Sequence, residues 1–266
     1  MNAPVRGAFP VVLALALAVA LTFLTLPVVA IFVHSSPSAL IDSLGEPGAL
    51  DALWLSLRAT AAALAVILVV GTPAAYLLAT RSFRGKALVI TLVELPLVLP
   101  PAVAGIALLA TLAPGGILGE PLSKAGIELP FTTAAVVVAL TFVASPFYLR
   151  QAVAAFASVD QTLLDASRTL GASEAHGFRR VVIPAAMPGL TAGAALALGR
   201  ALGEFGATLM FAGSFRGITQ TVPLAIYDRF ATDFTAALAL SAVLVAVSAA
   251  ILLSVKLVRG PDAVGR

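Results

Sequence analysis

The charged side chains best placed to act on another ion lie inside very apolar stretches of this 266-residue chain. Arg200 and Glu204 are four residues apart, which puts both on one face of a helix. Glu94 stands in another apolar stretch. A lone charge in hydrocarbon costs on the order of 2.5–3.5 kcal/mol even on a lenient insertion scale, so these groups must be paired or must face water. They are therefore predicted to form an intramembrane ion pair or to line a path.

The sequence contains few residues of the types that catalyse reactions or bind metals. The chain contains no cysteine and two histidines, His34 and His176. Neither a disulfide framework nor a thiolate or His-rich metal centre is therefore available. No apolar stretch carries a paired acid, a His ligand set or a Ser–Lys arrangement that could run catalysis. We expect no catalytic residue, no metal site and no cofactor in this chain.

Composition places the chain in a lipid bilayer. Hydrophobic residues make up 60% of it and charged residues 11%, and the mean hydropathy is +1.06. Soluble domains carry about 25% charged residues and roughly 45–50% apolar ones. A net charge of +3 could suggest nucleic acid, but that partner needs a basic stripe on a soluble surface. The basic residues lie instead between apolar stretches, so nucleic acid is excluded.

Six stretches reach the roughly 20 residues that cross about 30 Å of hydrocarbon. They are predicted at 11–33, 54–79, 87–112, 131–150, 189–212 and 236–258. The first exceeds the roughly 7–15-residue core of a secretion signal, so we interpret it as a retained span. The sequence thus predicts an all-α membrane protein with six transmembrane helices, residues 1–266 forming a single transmembrane domain.

The distribution of Lys and Arg predicts the orientation, because cytoplasmic loops carry the excess. One side holds Arg6, Arg81, Arg84, Lys86, Arg150, Arg168, Arg179, Arg180, Lys256, Arg259 and Arg266. The other side holds Lys124, Arg216 and Arg229, with Arg58 near a span end. Both termini are therefore predicted to be cytoplasmic, together with the long hydrophilic connection 151–188. Connections 34–53, 113–130 and 213–235 are predicted to face outward. No soluble part is large enough for an enzyme core, so any energy source must be another chain.

The 151–188 connection has the pattern of a helix, a glycine break, a second helix and a proline. Leu163, Ala166 and Leu170 recur at helical spacing. Gly171 is predicted to be the C-cap that reverses the chain. Ser173 is predicted to cap a short second helix that Pro184 ends. An ordinary amphipathic surface helix is the alternative interpretation of this pattern.

The same segment resembles the EAA loop of ABC importer permeases. The family pattern is Glu-Ala-Ala, three residues, Gly, nine residues, then Ile-x-Leu-Pro. Here Asp165-Ala166-Ser167, Gly171 and Val181-Val182-Ile183-Pro184 match that spacing at every element, with conservative replacements.

The resemblance implies a type I ABC importer permease in a bacterial cell membrane. In that family the loop docks as a coupling helix on a separate ATPase, which binds the ATP and Mg. The implied coupling residues are Asp165, Ala166, Ser167, Gly171, Ala172, Ser173, Glu174 and Pro184. The implied partners are two ATPase subunits, a second copy of the permease and an extracytoplasmic binding protein.

Two further segments resemble the molybdate, tungstate and sulfate importers. The first segment is 94–106, which reads ELPLVLPPAVAGI. The second begins with 200–214 and runs on to Thr219-Gln-Thr-Val-Pro-Leu-Ala-Ile-Tyr227. Among these importers, the last nine residues most resemble the molybdate permeases. The resemblance thus implies an oxyanion permease, most consistent with molybdate, with sulfate or tungstate as alternatives.

Prolines and small residues predict how two of the spans pack. Pro96, Pro100 and Pro101 remove amide donors within the third span, which indicates a kink beside a water-filled path or a kink satisfied by neighbouring helices. Ala195, Gly199, Gly203 and Ala207 form a row of small residues in the fifth span that allows close helix approach. The helix that packs against this row could belong to a second copy of the chain or to the same chain.

Arg200 has two interpretations. It could offer positive charge to a passing dianion, with Glu204 held by Arg200 or a neighbouring helix, or the two could form a purely structural pair. An ion-coupled secondary transporter is the competing function, but it would show inverted repeats and more intramembrane charges. A channel or an intramembrane enzyme fits less well, because no catalytic set is present.

Overall fold

A computed structural model describes residues 5–35 and 37–258 of the chain. All regular structure in these residues is helical, in agreement with the predicted fold class. In chain order the helices are α1 (Val5–Val33), α2 (Pro37–Gly45), α3 (Ala49–Thr80), α4 (Lys86–Val98), α5 (Pro101–Leu112), α6 (Gly119–Lys124), α7 (Thr133–Ala157), α8 (Gln161–Thr169), α9 (Glu174–Gly177), a π-helical turn (Phe178–Val182), α10 (Ile183–Leu202), α11 (Gly206–Ala212), α12 (Val222–Phe230) and α13 (Phe234–Val258).

Each predicted span overlaps a long apolar helix or, for the third span, the bent pair α4 and α5. Within the described residues, 5 helices are long and apolar enough to cross a membrane, or 6 if the bent pair α4 and α5 is counted as one span. The bend between α4 and α5 is 117°. The multi-span architecture predicted from apolar run length is therefore confirmed.

Helices α3, α7 and α10 form the centre of the protein, and their facing surfaces are built from small residues. Ala63 in α3, Ala139 in α7 and Ala197 in α10 are each fully buried. Small side chains let helix backbones approach closely where no water drives the packing. A Cβ added at Gly71 would lie 3.0 Å from the Tyr148 ring, so a larger residue would crowd the crossing of α3 and α7.

The third predicted span is broken into two helices. Leu99 ends α4 in an extended conformation, and Pro101 occupies the first turn of α5. Proline at that position loses nothing, because the first amides of a helix have no acceptor within it. The prediction of a kink is confirmed, although one kinked helix was expected and two helices meeting at a sharp angle are found.

The fifth predicted span differs at both ends from the expected 189–212. It begins within a continuous helical segment, Glu174–Leu202, and it stops at Leu202. A second, shorter helix starts at Gly206 after the break at 203–205. Apolar run length could not reveal this break, since residues on both sides of it are apolar.

The hydrophilic connection is shorter than the predicted 151–188. Its first seven residues continue α7, and residues from 183 onward belong to α10. The connecting loop is therefore 158–182, called the α7–α10 loop below. Of the basic residues used for orientation, Arg259 and Arg266 lie outside the described residues, and the side chains of Arg6 and Lys256 are not described.

Ion pairs link connections that were predicted to share a side. Arg81, at the end of α3, lies 3.8 Å from Glu174 in the α7–α10 loop. At the opposite end, Arg229 of α12 lies 2.9 Å from Glu46, which precedes α3. The two ends of the bundle therefore collect the connections in the predicted grouping.

Candidate functional site

The first helix of the α7–α10 loop turns its apolar row away from the protein. Leu164 and Ser167 face inward and are 7% and 9% exposed. Leu163 and Leu170, in contrast, are 48% and 86% exposed, and Ala166 between them is also exposed. The three apolar residues that revealed this helix in the sequence thus form an uncovered surface, called the apolar row below.

Caps define both ends of helix α8. The Asp160 side chain accepts a hydrogen bond of 2.9 Å from the Thr162 amide. That amide lowers the pKa of the Asp160 carboxyl from its ordinary value. At the other end Gly171 has φ +81° with open space around its Cα. Glycine is therefore favoured at this position by its positive φ and not by a lack of space. The predicted reversal of the chain needs that backbone conformation.

The remaining predicted coupling residues lie around this turn. Asp165 and Glu174 are exposed and paired, Asp165 with Arg168 at 3.1 Å and Glu174 with Arg81 at 3.8 Å. The Ala172 amide donates to the Ser167 carbonyl, and the Ser173 hydroxyl accepts from the His176 amide at 3.3 Å. The predicted helix start at Ser173 is therefore confirmed, and the turn is fixed from both sides.

The expectation that Pro184 ends the second helix is wrong. Pro184 lies in the first turn of α10, and helix runs without a break from Glu174 to Leu202. A proline ring in a regular helix clashes with the carbonyl four residues earlier, here that of Arg180. The π-helical turn widens the helix at that carbonyl, with the Ile183 amide donating to the Phe178 carbonyl. The chain thus passes the proline without stopping.

Three aromatic rings hold the π-helical turn against the bundle. Phe178 lies 4.6 Å from Tyr76 of α3 and 6.1 Å from Phe156 of α7, measured between ring centroids. Tyr76 and Phe156 are themselves 5.4 Å apart in an edge arrangement. This ring cluster was not predicted, because its members are separated by 80 and 22 residues along the chain. It joins the loop mechanically to two spans.

Arg200 and Glu204 form an ion pair, which both interpretations of Arg200 allowed. Arg200 Nη2 lies 2.5 Å from Glu204 Oε2, and the side chains are 25% and 1% exposed. The other carboxylate oxygen, Oε1, accepts a 2.7 Å hydrogen bond from the Ala207 amide. Glu204 therefore caps α11 as well as pairing with Arg200. The glycines at 203 and 206 that flank the acid were the signal for this break.

The two helix breaks lie against each other. A Cβ added at Gly206 would lie 2.8 Å from Pro101, and one added at Gly105 would lie 2.6 Å from the Ala207 carbonyl. Helices α5 and α11 thus start side by side and pack through their backbones. Positive dipole ends of two half-helices are therefore directed to one region within the span, near Arg200.

Glu94 lies in a different pair from the other two intramembrane charges. Its Oε1 is 3.1 Å from Nε of Arg150, and the side chains are 39% and 63% exposed. The sequence interpretation missed this partner because Arg150 was taken as the end of the fourth span. In the structure α7 continues to Ala157, so Arg150 lies two turns inside it.

In the segment that most resembled the molybdate permeases, residues 219–222 are buried, whereas Tyr227 at its end is exposed. Thr219 and Gln220 are 0% and 5% exposed. Gln220 Nε2 donates to Asp228 Oδ2 at 2.6 Å, and the Thr219 hydroxyl accepts from the Phe215 amide at 3.0 Å. These residues fix the turn before α12. Within the described residues, no group of three or more His, Asp or Glu side chains could hold a metal ion.

Residues 71–259 match the family described as binding-protein-dependent transport system inner membrane component. The chain belongs to this family. Over 237 residues it is 41% identical to the molybdenum transport system permease protein ModB of Mycobacterium tuberculosis, covering 88% of this chain and 89% of that protein. Over 251 residues it is 38% identical to a probable transport system permease protein, NifC, of Clostridium pasteurianum, covering 93% and 87%.

The fold agrees with this assignment. The crystal structure of a bacterial ABC transporter involved in the import of the acidic polysaccharide alginate superposes with a TM-score of 0.75 at 16% identity, covering 98% of this chain and 97% of that chain. The permease is accordingly a multi-pass membrane protein and a transport component rather than an enzyme. The secondary-transporter alternative is thereby set aside.

The permease uses its small residues in two different ways. A Cβ added at Gly193 would lie 3.0 Å from Gln151 of α7, so this glycine packs within the chain. Ala207, at the end of the predicted row, is buried beside α5. A Cβ at Gly199, in contrast, would meet nothing within 4 Å, and Gly203 is exposed. This chain thus leaves room beside the middle of the predicted row, at Gly199 and Gly203.

Proposed function

We propose that this permease is the membrane subunit of an ATP-driven importer that carries molybdate. The observation that carries the proposal is the 41% identity, over 88% of the chain, to a permease named for molybdenum transport. Arg200, partly exposed beside two half-helix N-termini, is of the right charge for an anion path. Tungstate and sulfate are tetrahedral dianions too, and permeases for them are the alternatives.

Uptake measurements test the substrate. The permease is assembled with its ATPase and binding protein in proteoliposomes, and ATP-dependent uptake of labelled molybdate is measured. We expect tungstate to compete far better than sulfate, because tungstate nearly matches molybdate in size and charge. Competition by sulfate that equals or exceeds that of tungstate would assign the protein to the sulfate branch, and the absence of any oxyanion uptake would overturn the proposal.

The α7–α10 loop is the proposed contact with the ATPase. Its apolar row, at Leu163, Ala166 and Leu170, is exposed in this chain. Apolar residues aligned on one face of a short helix can bind in a hydrophobic groove of the ATPase. In this proposal the separate ATPase binds the ATP and Mg. Movement of the docked helix then reaches the spans through the ring cluster and the continuous helix from Glu174 to Leu202.

Gly171 tests this coupling. Gly171→Val should uncouple substrate-stimulated ATP hydrolysis from transport, because a β-branched residue is strained at φ +81° and would misdirect α8. Gly126→Val is the matched control, since Gly126 has φ +75° and equally open surroundings at the other end of the bundle. Full coupling in the Gly171 variant would contradict the assignment, provided the control inserts and transports normally.

The proposed orientation places both termini and the α7–α10 loop in the cytoplasm, following the excess of Lys and Arg. The binding protein then docks on the opposite face. The proposed importer contains a second copy of this permease, because the open positions at Gly199 and Gly203 suit close helix pairing. With one ATPase docked on each α7–α10 loop, two copies of the permease would bind two ATPases.

Cysteine cross-linking tests the second copy. The chain has no cysteine, so a single introduced thiol gives an unambiguous disulfide. Gly199→Cys, on the open face, should form a disulfide between two copies in the assembled importer. Gly193→Cys, against α7, should not. Failure of Gly199→Cys to cross-link while transport is retained would place the subunit contact elsewhere.

A further inference from the structure

The ion pair between Glu94 and Arg150 leaves most of the guanidinium unused. The contact is between Oε1 and Nε at 3.1 Å. In the described residues, neither terminal amino group of Arg150 has another ion pair or hydrogen bond. A guanidinium offers five N–H donors in a planar fork. Arg150 therefore keeps a donor edge free to bind a second anionic group.

The surroundings of this pair are apolar. The pair lies in a groove of about 110 Å³ whose other walls are side chains from α3, α4 and α7. These walls are Leu78, Ile90, Val93, Leu149 and Val153. Charges against low-dielectric walls interact more strongly than charges in open water. An incoming anion would therefore be attracted here by Arg150 and repelled by an unpaired Glu94.

The position of the pair, well inside two apolar helices, argues against a lipid-facing role. Glu94 is eight residues into α4, about 12 Å from its start, and Arg150 is about 10 Å from the end of α7. Charges at such depth face the bundle interior or a water-filled cavity. Helix α4 has no buried residue in this chain. Only the face that carries Glu94 therefore needs water or another subunit beside it, since the other exposed residues of α4 include Leu88, Leu92 and Val98.

We infer that Arg150 is an oxyanion-binding residue in the half of the path nearest the α7–α10 loop, and that Glu94 holds its guanidinium when no anion is present. The inference rests on the proposed function. It adds a second positive charge to Arg200, which lies about 25 Å along α10 from the loop end. The two arginines thus serve successive parts of the path.

Exchange between the two anionic partners follows from their chemistry. A carboxylate and a tetrahedral oxyanion both accept paired N–H donors from a guanidinium. The dianion carries twice the charge of Glu94 and can displace it. When the dianion leaves, the carboxylate returns, so Arg150 is not left unpaired and the anion is not held permanently.

Transport of charge-neutral variants tests the role of the pair. Arg150→Gln should lower the maximal rate of oxyanion uptake at least tenfold, with unchanged assembly on the ATPase. Glu94→Gln should also slow uptake, by several fold, because the anion is released more slowly. The double variant Glu94→Gln/Arg150→Gln should remain as slow as Arg150→Gln. Glu120→Gln/Lys124→Gln is the control, because that pair is exposed outside the spans, and it should transport normally.

Thiol accessibility tests the binding step directly. Val153→Cys lies in the groove and leaves Arg150 in place. In the assembled importer, a small charged thiol reagent should modify it, and millimolar molybdate should slow that reaction several fold. Protection should vanish when Arg150→Gln is added. Leu253→Cys, on the exposed apolar surface of α13, is the control, and we expect it not to react because lipid should cover that surface.

Four results would overturn the inference. A double variant that transports at the wild-type rate would make the pair purely structural. A Val153→Cys thiol that does not react would mean that lipid or another subunit covers the groove. Protection that survives Arg150→Gln would place the anion elsewhere. A wild-type importer that carries no tetrahedral oxyanion would overturn the proposed function and this inference with it.

Discussion

Among the described residues, two arginine–carboxylate pairs lie inside the apolar helices, and the two differ in the other contacts of the carboxylate. Glu204 is 1% exposed and is also hydrogen-bonded to the Ala207 amide. Glu94 is 39% exposed and has Arg150 as its ion-pair partner. The first acid is part of the backbone architecture of a helix break, whereas the second can leave its partner without disturbing a helix.

Two pairs of the same residue types can therefore have different roles, depending on how deeply they are buried and on their other contacts. Breaking a buried pair is expensive because the remaining charge stays desolvated. An exposed pair contributes little, since water already solvates both partners. The buried pair should therefore govern folding, and the exposed pair should be free to serve transport.

The largest expected effect comes from breaking the buried pair. Arg200→Ala should destabilise the protein by about 3–5 kcal/mol, because Glu204 is left charged and buried. Glu204→Ala should be at least as damaging, since the cap of α11 is lost with the pair. The amount of correctly assembled protein after mild detergent extraction measures both. Wild-type amounts from either variant would show that the pair does not hold the break.

Double variants should separate pairing from capping. Arg200→Ala/Glu204→Ala should recover part of the assembled protein, because no charge is stranded. Arg200→Ala/Glu204→Gln should recover more, by about 0.5–2 kcal/mol, because Gln still accepts from the Ala207 amide. Thermal unfolding of the purified variants measures the difference. Full oxyanion transport by either double variant would remove Arg200 from direct contact with the anion.

The smallest effect on stability should come from the exposed pair. Glu94→Ala and Arg150→Ala should each change the free energy of unfolding by no more than about 1 kcal/mol. The amount of assembled protein should therefore stay near wild type while transport falls. A loss of assembly comparable to that of Arg200→Ala would erase the contrast between the two pairs.

Local signals in the sequence predicted the local structure well. Apolar run length located the spans, and spacing located Gly171 and the cap at Ser173. These features depend on residues within a few positions of one another. The prolines likewise predicted where the third span would bend, although not the size of the angle.

Features that depend on distant residues were not predictable from one sequence. Arg150 and Glu94 are 56 residues apart, and nothing local marks them as partners. Pro184 was assigned its usual effect on a helix, but the π-helical turn and the rings of Tyr76 and Phe156 hold the helix together there. The outward direction of Leu163 and Leu170 also depended on what the rest of the chain leaves uncovered.

The continuous helix through Pro184 has a mechanical consequence. From Glu174 to the ring cluster at Phe178 is about 6 Å, and from Phe178 to Leu202 is about 36 Å. If the helix is stiff and pivots at those rings, it acts as a lever whose arms, Glu174–Phe178 and Phe178–Leu202, have lengths in a ratio of about one to six. A displacement of about 1 Å at Glu174 would swing the far end, next to Arg200, by about 6 Å. A small displacement of the α7–α10 loop would thereby move the end of the helix beside Arg200 several times as far.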